Sequence, residues 1–560
     1  MVCVSALALL LSCCTSGPPR ATAPYGVPYD IFSKLVAQSV DLGPVGPTRP
    51  ITFTLGLRNT RAHNLRRDLA SLYDPPSPDF MHFLSRAEFD SRYGADPGDA
   101  TAAVDLLRAS GLRADWSTGD SWVVVSGPAR VVQHVFGVDI HDYVSPRNVH
   151  FYSSVQDATV PGPLRELVAS VGRIDDYAQP TASRLPDAIP AGGLLPADLL
   201  KAYDITPLRD LGFDGRGETV VFIEPDKQSF RQSDLDTFTN DPRFKLPAIQ
   251  VLDRGIPSAQ FPPGGETEMD LEVVHEIAPG ANLVLYNTDT KEQELFDVQT
   301  QVVNDYPGAI VSQSWGWCES AWTNGLISAT NDLYAKADML GTSVFVSSGD
   351  SGAYTCLEAA DPGTFPSDEY LTGSLPCDAP GVTCVGGTRL SVRSDGTHYN
   401  ETVWEEPPLT EGGGGGLSRY YLMPTWQSGP GVLNRYSTGK REFPDVSADA
   451  DPISGAAIFT RGHWGTGGGT SQAAPIWAGI AAVMAQFLKA QGLKQPLGHL
   501  NPALYAIGRN PAPYAAFHDV TVGTNLYYPA TPGYDLASGL GSPDVWNLAR
   551  DFYQYRRGGA

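Results

Sequence analysis

From residue 219 onward the chain alternates short apolar runs with longer stretches of helical spacing, and that alternation restricts it to few folds. The runs are 219–223, 282–286, 309–313 and 343–347, all free of charge, and the stretches near 266–276, 290–304 and 322–338 have the length of helices. A strand buried on both faces has no solvent side to mark, so it reads as a continuous apolar run. Neighbouring parallel strands also need a long crossover between them. The pattern predicts an α/β domain, with a parallel sheet covered by helices on both faces. The uncharged run 472–488 holds Pro475, Gly479 and two Gln, and fits a buried helix of that core rather than a membrane span.

Upstream, Ile51, Phe53, Leu55 and Leu57 alternate with other residues as in a half-buried strand. Helices are expected at 62–72 and 101–110, and further strands at 122–126 and 139–143. This is an α+β module of roughly 130 residues, a common domain size. The Pro- and Gly-rich stretches 18–50 and 180–196, the second carrying Arg184, read as linkers. The run 412–416 is all glycine and is the one low-complexity segment.

The chain opens MVCVSALALLLSCCTSG, apolar over 4–12 and far too short to span a bilayer. It reads as a secretory signal. Leu10-Leu11-Ser12-Cys13 resembles a bacterial lipoprotein cleavage box, which makes a lipid anchor at Cys13, and a cell-envelope location, the alternative to free secretion. Three of the seven Cys lie in this leader. The other four, Cys318, Cys356, Cys377 and Cys384, are expected to form two disulfides in an exported protein. Three pairings exist; the short 377–384 loop is the preferred bridge, leaving 318–356. Zinc is the weaker alternative, because neither a CxxC pair nor a flanking His is present. The formal charge of −23 repels a phosphate backbone, so nucleic acid is not an expected partner. An acidic surface suits acid conditions, and equally serves plain solubility.

Gly467-Gly468-Gly469-Thr470-Ser471 runs directly into the apolar helix. Glycines allow a sharp turn and close approach of backbone to a substrate. Ser471 is then either a nucleophile at the positive end of a helix dipole or an ordinary N-cap. A nucleophile needs a base. Of the downstream histidines, His275, His398, His463, His499 and His518, none lies in the His-Gly-Thr setting that a subtilisin-type triad would need. Carboxylates are better placed. In the predicted helix after Gly265, Glu266 and Asp270 are i,i+4, and so are Glu268 and Glu272. Such like-charge pairs cost about 0.2–0.5 kcal/mol each. The alternative is a solvated acidic first turn, and spacing leaves both pairs open. Asp350, in Ser347-Ser348-Gly349-Asp350-Ser351-Gly352, follows a strand directly, where α/β folds place their sites, and could also be a turn residue.

Taken together, Gly-Thr-Ser-Gln-Ala-Ala-Pro at 469–475, Glu-x-x-x-Asp-Leu-Glu at 266–272 and Ser-Ser-Gly-Asp-Ser-Gly at 347–352 resemble the signature segments of the sedolisins, the serine-carboxyl peptidases, in the same order. Ser314-Trp315-Gly316, Gly414-Gly415-Gly416-Leu417-Ser418 through Gln427, Pro444-Asp445-Val446-Ser447-Ala448, and Leu195-Pro196-Ala197-Asp198-Leu199 are further matches. Upstream, Ser77 to Leu84, Glu88-Phe89 and Tyr93-Gly94 resemble the activation domain of kumamolisin-type zymogens. The likeness spans nearly the whole chain outside the leader and linkers. It implies a leader at 1–20, a linker at 21–45, an activation prodomain at 46–178, a processed linker at 179–195 and a peptidase domain at 196–556. The implied folds are subtilisin-like for the peptidase and ferredoxin-like for the prodomain.

The resemblance further implies a Glu266–Asp270–Ser471 triad with Asp350 in the oxyanion hole, and so selects the 266/270 pair. Glu224 and Trp315 resemble an accessory hydrogen-bonded pair of some members, with Pro225 where a small or aliphatic residue is more usual. Near the C-terminus, Asp519 and Asp535 side chains with the Val520, Thr531 and Gly533 carbonyls resemble the family's single structural Ca²⁺ site, Thr531 standing where Gly is commoner; oxygen donors of this kind suit that ion. The expected enzyme is a secreted, monomeric endopeptidase acting on proteins or peptides, with its prodomain as intramolecular inhibitor and chaperone. A glutamate base and a protonated Asp350 set an optimum of roughly pH 3–5. The alternatives are a tripeptidyl aminopeptidase of the same family and a non-catalytic envelope pseudoprotease.

Overall fold

Seven strands of the downstream half lie side by side in the order His398–Val403, Thr383–Val392, Ser343–Ser347, Ile310–Gln313, Thr219–Glu224, Asn282–Asn287 and Val251–Gly255, and Val446–Asp449 joins through Thr383–Val392. All pairings are parallel except that of the edge strand His398–Val403. The computed structural model describes residues 31–558 apart from 179–188, 191, 226–228, 263, 289–290, 360–366, 368–369, 407–410 and 511–512. Residues 1–30, which include the leader and Cys13, and most of the expected processed linker lie outside the described residues.

The continuous apolar runs divide between two layers, as strand geometry requires. Val220, Phe222, Leu283 and Leu285 point into one core, with the helices Glu266–Ile277 and Thr470–Ala490. Val221, Ile223, Val284 and Tyr286 point into the other, with Glu292–Asp305 and Asn324–Met339. The four strands read from the sequence are present to within one residue at each end, and the three helices to within two. Thr470–Ala490 is apolar and long enough to cross a membrane, yet it runs buried through the domain centre. Val251–Gly255, which gave no strand signal, is a largely exposed edge strand.

The upstream module has a four-stranded antiparallel sheet in the order Arg113–Asp115, Trp122–Pro128, Pro50–Leu57, Val168–Ser170. With helices in both crossovers this is the expected ferredoxin-like βαββαβ arrangement. One face, with Ile51, Phe53 and Leu55, packs on Pro97–Ala109 and Ala129–Phe136. The other face meets the peptidase domain: Thr54 Oγ1 donates to Gln293 at 2.7 Å, and Trp122 packs edge-on against Phe296 at 5.2 Å.

The linker expected at 21–45 is corrected over its described part. Helix Ile31–Gln38 and strand Val40–Pro44 occupy it; Phe32 and Leu35 are buried, and the strand pairs with Ile140–Val144. The Gly and Pro around 43–47 suggest a linker, but they lie at the end of a short exposed strand, where both are tolerated. Cys318 pairs with Cys356 and Cys377 with Cys384, as preferred, which leaves no thiolate there for zinc.

Candidate active site

The helix Glu266–Ile277 carries five carboxylates, and all twelve of its residues are buried, so it is no solvated acidic turn. Gly265, at φ +98°, turns the chain into it. The two carboxylate pairs separate in space. Glu268 accepts the Gly265 and Arg231 N–H groups at 3.1 and 3.2 Å, and Glu272 accepts the Phe459 N–H at 2.8 Å, so this pair ties down loops. Asp270 turns toward the Ser471 turn: Ser314 Oγ donates to its Oδ2 at 2.7 Å and lies 3.1 Å from the Ser471 carbonyl oxygen. Glu266 lies one turn earlier on the same face. Burial pushes the Asp270 carboxyl well above its ordinary range, the charges of Glu224 and Glu266 add to the rise, and the Ser314 hydrogen bond opposes it. Glu224, fully buried at the end of its strand, accepts Trp315 Nε1–H at 2.7 Å, joining the accessory pair named from the sequence.

Ser471 is the second residue of its helix; Gly469, at φ +74°, occupies the N-cap, so Ser471 does not serve as the cap. Its Oγ donates to the Ser314 carbonyl at 3.3 Å. A Cβ on Gly467 would lie 2.3 Å from Gln472 Oε1, which explains the glycine there. Gln472 fixes the turn by accepting the Ala456 N–H at 2.8 Å and donating to the Asp449 carbonyl at 2.9 Å.

Asp350 follows strand Ser343–Ser347, and its Oδ1 accepts both the N–H and the Oγ–H of Thr470, at 2.8 and 2.9 Å. The carboxyl therefore sits at the positive end of the helix that carries Ser471. The glycine run explains itself here. A Cβ on Gly414 would be 2.0 Å from the Ser348 carbonyl oxygen, and one on Gly413 2.8 Å from Gly387 N. The run packs backbone to backbone on the loop that holds Asp350, closed by Gly412 N–H to Asp350 O at 2.8 Å.

Four of the five downstream histidines are engaged elsewhere. His275 Nε2 is 2.8 Å from the Pro247 carbonyl, His398 and His518 stack at 3.8 Å, and His499 pairs with Asp338. The resemblance-derived metal residues do converge: Gly533 N–H donates to Asp519 Oδ2 at 3.0 Å, and Thr531 N–H to Asp535 Oδ2 at 2.7 Å. Two carboxylates thus share the 531–533 turn, with Val520 beside them through Ser538 at 3.4 Å. Burial raises the Asp535 carboxyl to about 6. This set of hard oxygens fits Ca²⁺, although no group of three or more His, Cys, Asp or Glu side chains suited to a metal occurs among the described residues.

Ser314, Thr470 and Gln472 were not assigned roles by sequence reasoning. Ser314 carried a usable signal: it stands directly after strand Ile310–Gln313, at the carboxyl end of a central parallel strand.

Residues 37–177 match the family described as Pro-kumamolisin, activation domain, and 263–538 match the Subtilase family. The chain is 31% identical to the kumamolisin of Bacillus sp. (strain MN-32), over 90% of this chain and 92% of that one. It is 25% identical to the tripeptidyl-peptidase sed5 of Aspergillus fumigatus, over 90% and 93% respectively. Among solved structures it is similar to a Pseudomonas sedolisin, a serine-carboxyl proteinase complexed with two molecules of pseudo-iodotyrostatin, with 30% identity and a TM-score of 0.56 over 64% of this chain and 98% of that one.

Proposed function

The chain belongs to the sedolisin family of serine-carboxyl peptidases, with an activation domain, and on that premise we propose that it is a secreted, acid-active endopeptidase that works through an acyl-enzyme on Ser471. One observation carries this reading: the helix turn bearing Ser471 is joined by hydrogen bonds to carboxyl groups on both sides, Asp350 through Thr470 and Asp270 through Ser314.

Glu266 takes the proton from Ser471 Oγ as that oxygen attacks the peptide carbonyl, and later gives it to the leaving amine. Water then attacks the ester, and Glu266 acts again as base. Asp270 orients Glu266. Asp350 carries a proton and donates it as a hydrogen bond to the developing oxyanion. A carboxylate base stays ionised in acid where a histidine would be protonated. Asp519, Val520, Thr531, Gly533 and Asp535 would hold one structural Ca²⁺, which supplies cross-linking charge to the loop and no catalytic step.

Wild-type enzyme is expected to cut an internally quenched peptide near pH 4, and Ser471→Ala to lose about 10⁴-fold or more in kcat. No cleavage by wild type at that pH, or undiminished cleavage by Ser471→Ala, rejects the proposal. Cleavage that persists when the substrate's amino terminus is blocked separates endopeptidase from tripeptidyl-peptidase action.

A further inference from the structure

We propose that Ser314 is a positioning residue for the catalytic carboxylates: its hydroxyl ties Asp270 to the peptide of Ser471 and sets the state in which the Glu266–Asp270 pair meets the nucleophile. This rests on the roles given above to Glu266, Asp270 and Ser471.

Ser314 leaves the carboxyl end of strand Ile310–Gln313 at the centre of the sheet and is 3% exposed. It is bound to the nucleophile's turn twice. Its carbonyl accepts the Ser471 hydroxyl at 3.3 Å, and its own hydroxyl lies between Asp270 Oδ2 at 2.7 Å and the Ser471 carbonyl oxygen at 3.1 Å. A hydroxyl has one proton to donate. While Asp270 is ionised, that proton goes to Asp270, the shorter and charge-assisted bond. When Asp270 takes up a proton it can donate to Ser314 Oγ instead, and the Ser314 proton turns to the Ser471 carbonyl. The setting of this hydroxyl therefore follows the charge on Asp270 and passes it to the first turn of the nucleophile's helix.

The other titratable groups facing Asp270 are Glu266 on its own helix and Glu224 on strand Thr219–Glu224, the latter held by Trp315; Asp350 stands beyond Ser471, on Thr470. Glu224 and Glu266 favour neutral Asp270, and the Ser314 hydroxyl favours the ionised form. Without that hydroxyl the carboxyl cluster holds its protons more tightly, and the base form appears only at higher pH.

The test is the pH profile of kcat/KM for Ser314→Ala, Ser314→Cys and Ser314→Thr. Ser314→Ala is expected to move the acid limb up by about one pH unit, the scale of one charge-assisted hydrogen bond. It should lower kcat about tenfold at the wild-type optimum and leave KM within about twofold, since ground-state binding is untouched. Ser314→Thr, which keeps a hydroxyl, should return the limb toward wild type. Ser314→Cys, with a weak donor of similar size, should behave as Ala and serves if Ala does not fold. Asp270→Asn combined with Ser314→Ala should lose no more than Asp270→Asn alone. A wild-type acid limb in Ser314→Ala or Ser314→Cys overturns the proposal, as does a loss equal at every pH. Activity retained by Ser471→Ala would overturn the catalytic reading and this one with it; a wild-type limb beside an inactive Ser471→Ala overturns this one alone.

Discussion

Asp350 depends on Thr470 as much as on its own loop, because both hydrogen bonds to its Oδ1 come from that residue. With Oδ1 held at the helix N-terminus, a protonated Asp350 would serve the oxyanion role proposed above. Asp350→Ala is expected to cost about 10²–10³ in kcat, the usual cost of one oxyanion donor. Asp350→Asn keeps a donor that needs no protonation, so it should retain more activity and extend activity to higher pH; steady-state kinetics from pH 3 to 7 check both. At this scale the sequence was informative but ambiguous. Ser471 reads as a cap until the glycine at 469 is seen to take that position, and Glu266/Asp270 cannot be told from Glu268/Glu272 by spacing, because both pairs share the same helical repeat. The choice depends on what packs against each face: Ser314 against one, the Arg231 and Phe459 backbone against the other.

The helix Glu266–Ile277 is an unusual element for a protein core, since each buried carboxylate must find a donor or keep a proton. Glu276 has no hydrogen-bond partner for either oxygen among the described residues and is fully buried, which pushes its carboxyl well above the ordinary range; Glu272 is raised by burial in the same way, and Glu268 to about 7. In the unfolded chain these groups lose their protons near pH 4. Between there and their folded values the native state binds more protons than the unfolded state, so stability is full in acid and falls as pH rises through about 4 to 7 and beyond. Glu276→Gln should flatten that slope by up to about 1.4 kcal/mol per pH unit, measured by urea unfolding of the Ser471→Ala chain at pH 4, 5, 6 and 7; an unchanged slope would show that Glu276 is not protonated in the fold. Legibility at this scale followed burial. Central strands and long helices announced themselves through uninterrupted apolar runs, whereas Val251–Gly255, exposed at the edge, and Ile31–Gln38, among Gly and Pro, gave no comparable signal.

Across the whole molecule, the prodomain is seated on the helices that cover one face of the peptidase sheet. Lys336, 1% exposed, lies 3.3 and 3.4 Å from the prodomain carboxylates Asp90 and Asp120, and Tyr73 donates to the Asp338 carbonyl at 2.8 Å. At the opposite end of the chain, the 519–535 loops pack on the edge strand His398–Val403 through a small separate cluster of Val403, Val520 and Ala537. A Ca²⁺ there would stabilise the native state by about 2.7 kcal/mol at a hundredfold excess over Kd. Chelation should therefore lower Tm, Asp535→Ala should abolish the difference, and the effect should shrink below about pH 6 as Asp535 takes up its proton; calorimetry with and without chelator checks this. The sequence by itself determined the central strands and long helices and the residue types of the site, and it favoured the disulfide pairing found, because burial on both faces, glycine-bearing turns and motif order are written locally along the chain. Tertiary structure alone decided that Ser314 ties Asp270 to the Ser471 turn while Glu268 and Glu272 bind loop N–H groups, and why five glycines occupy 412–416. Those facts depend on contacts between segments far apart along the chain, 157 residues for Ser314 and Ser471 and 44 for Asp270 and Ser314, and no local pattern carries them.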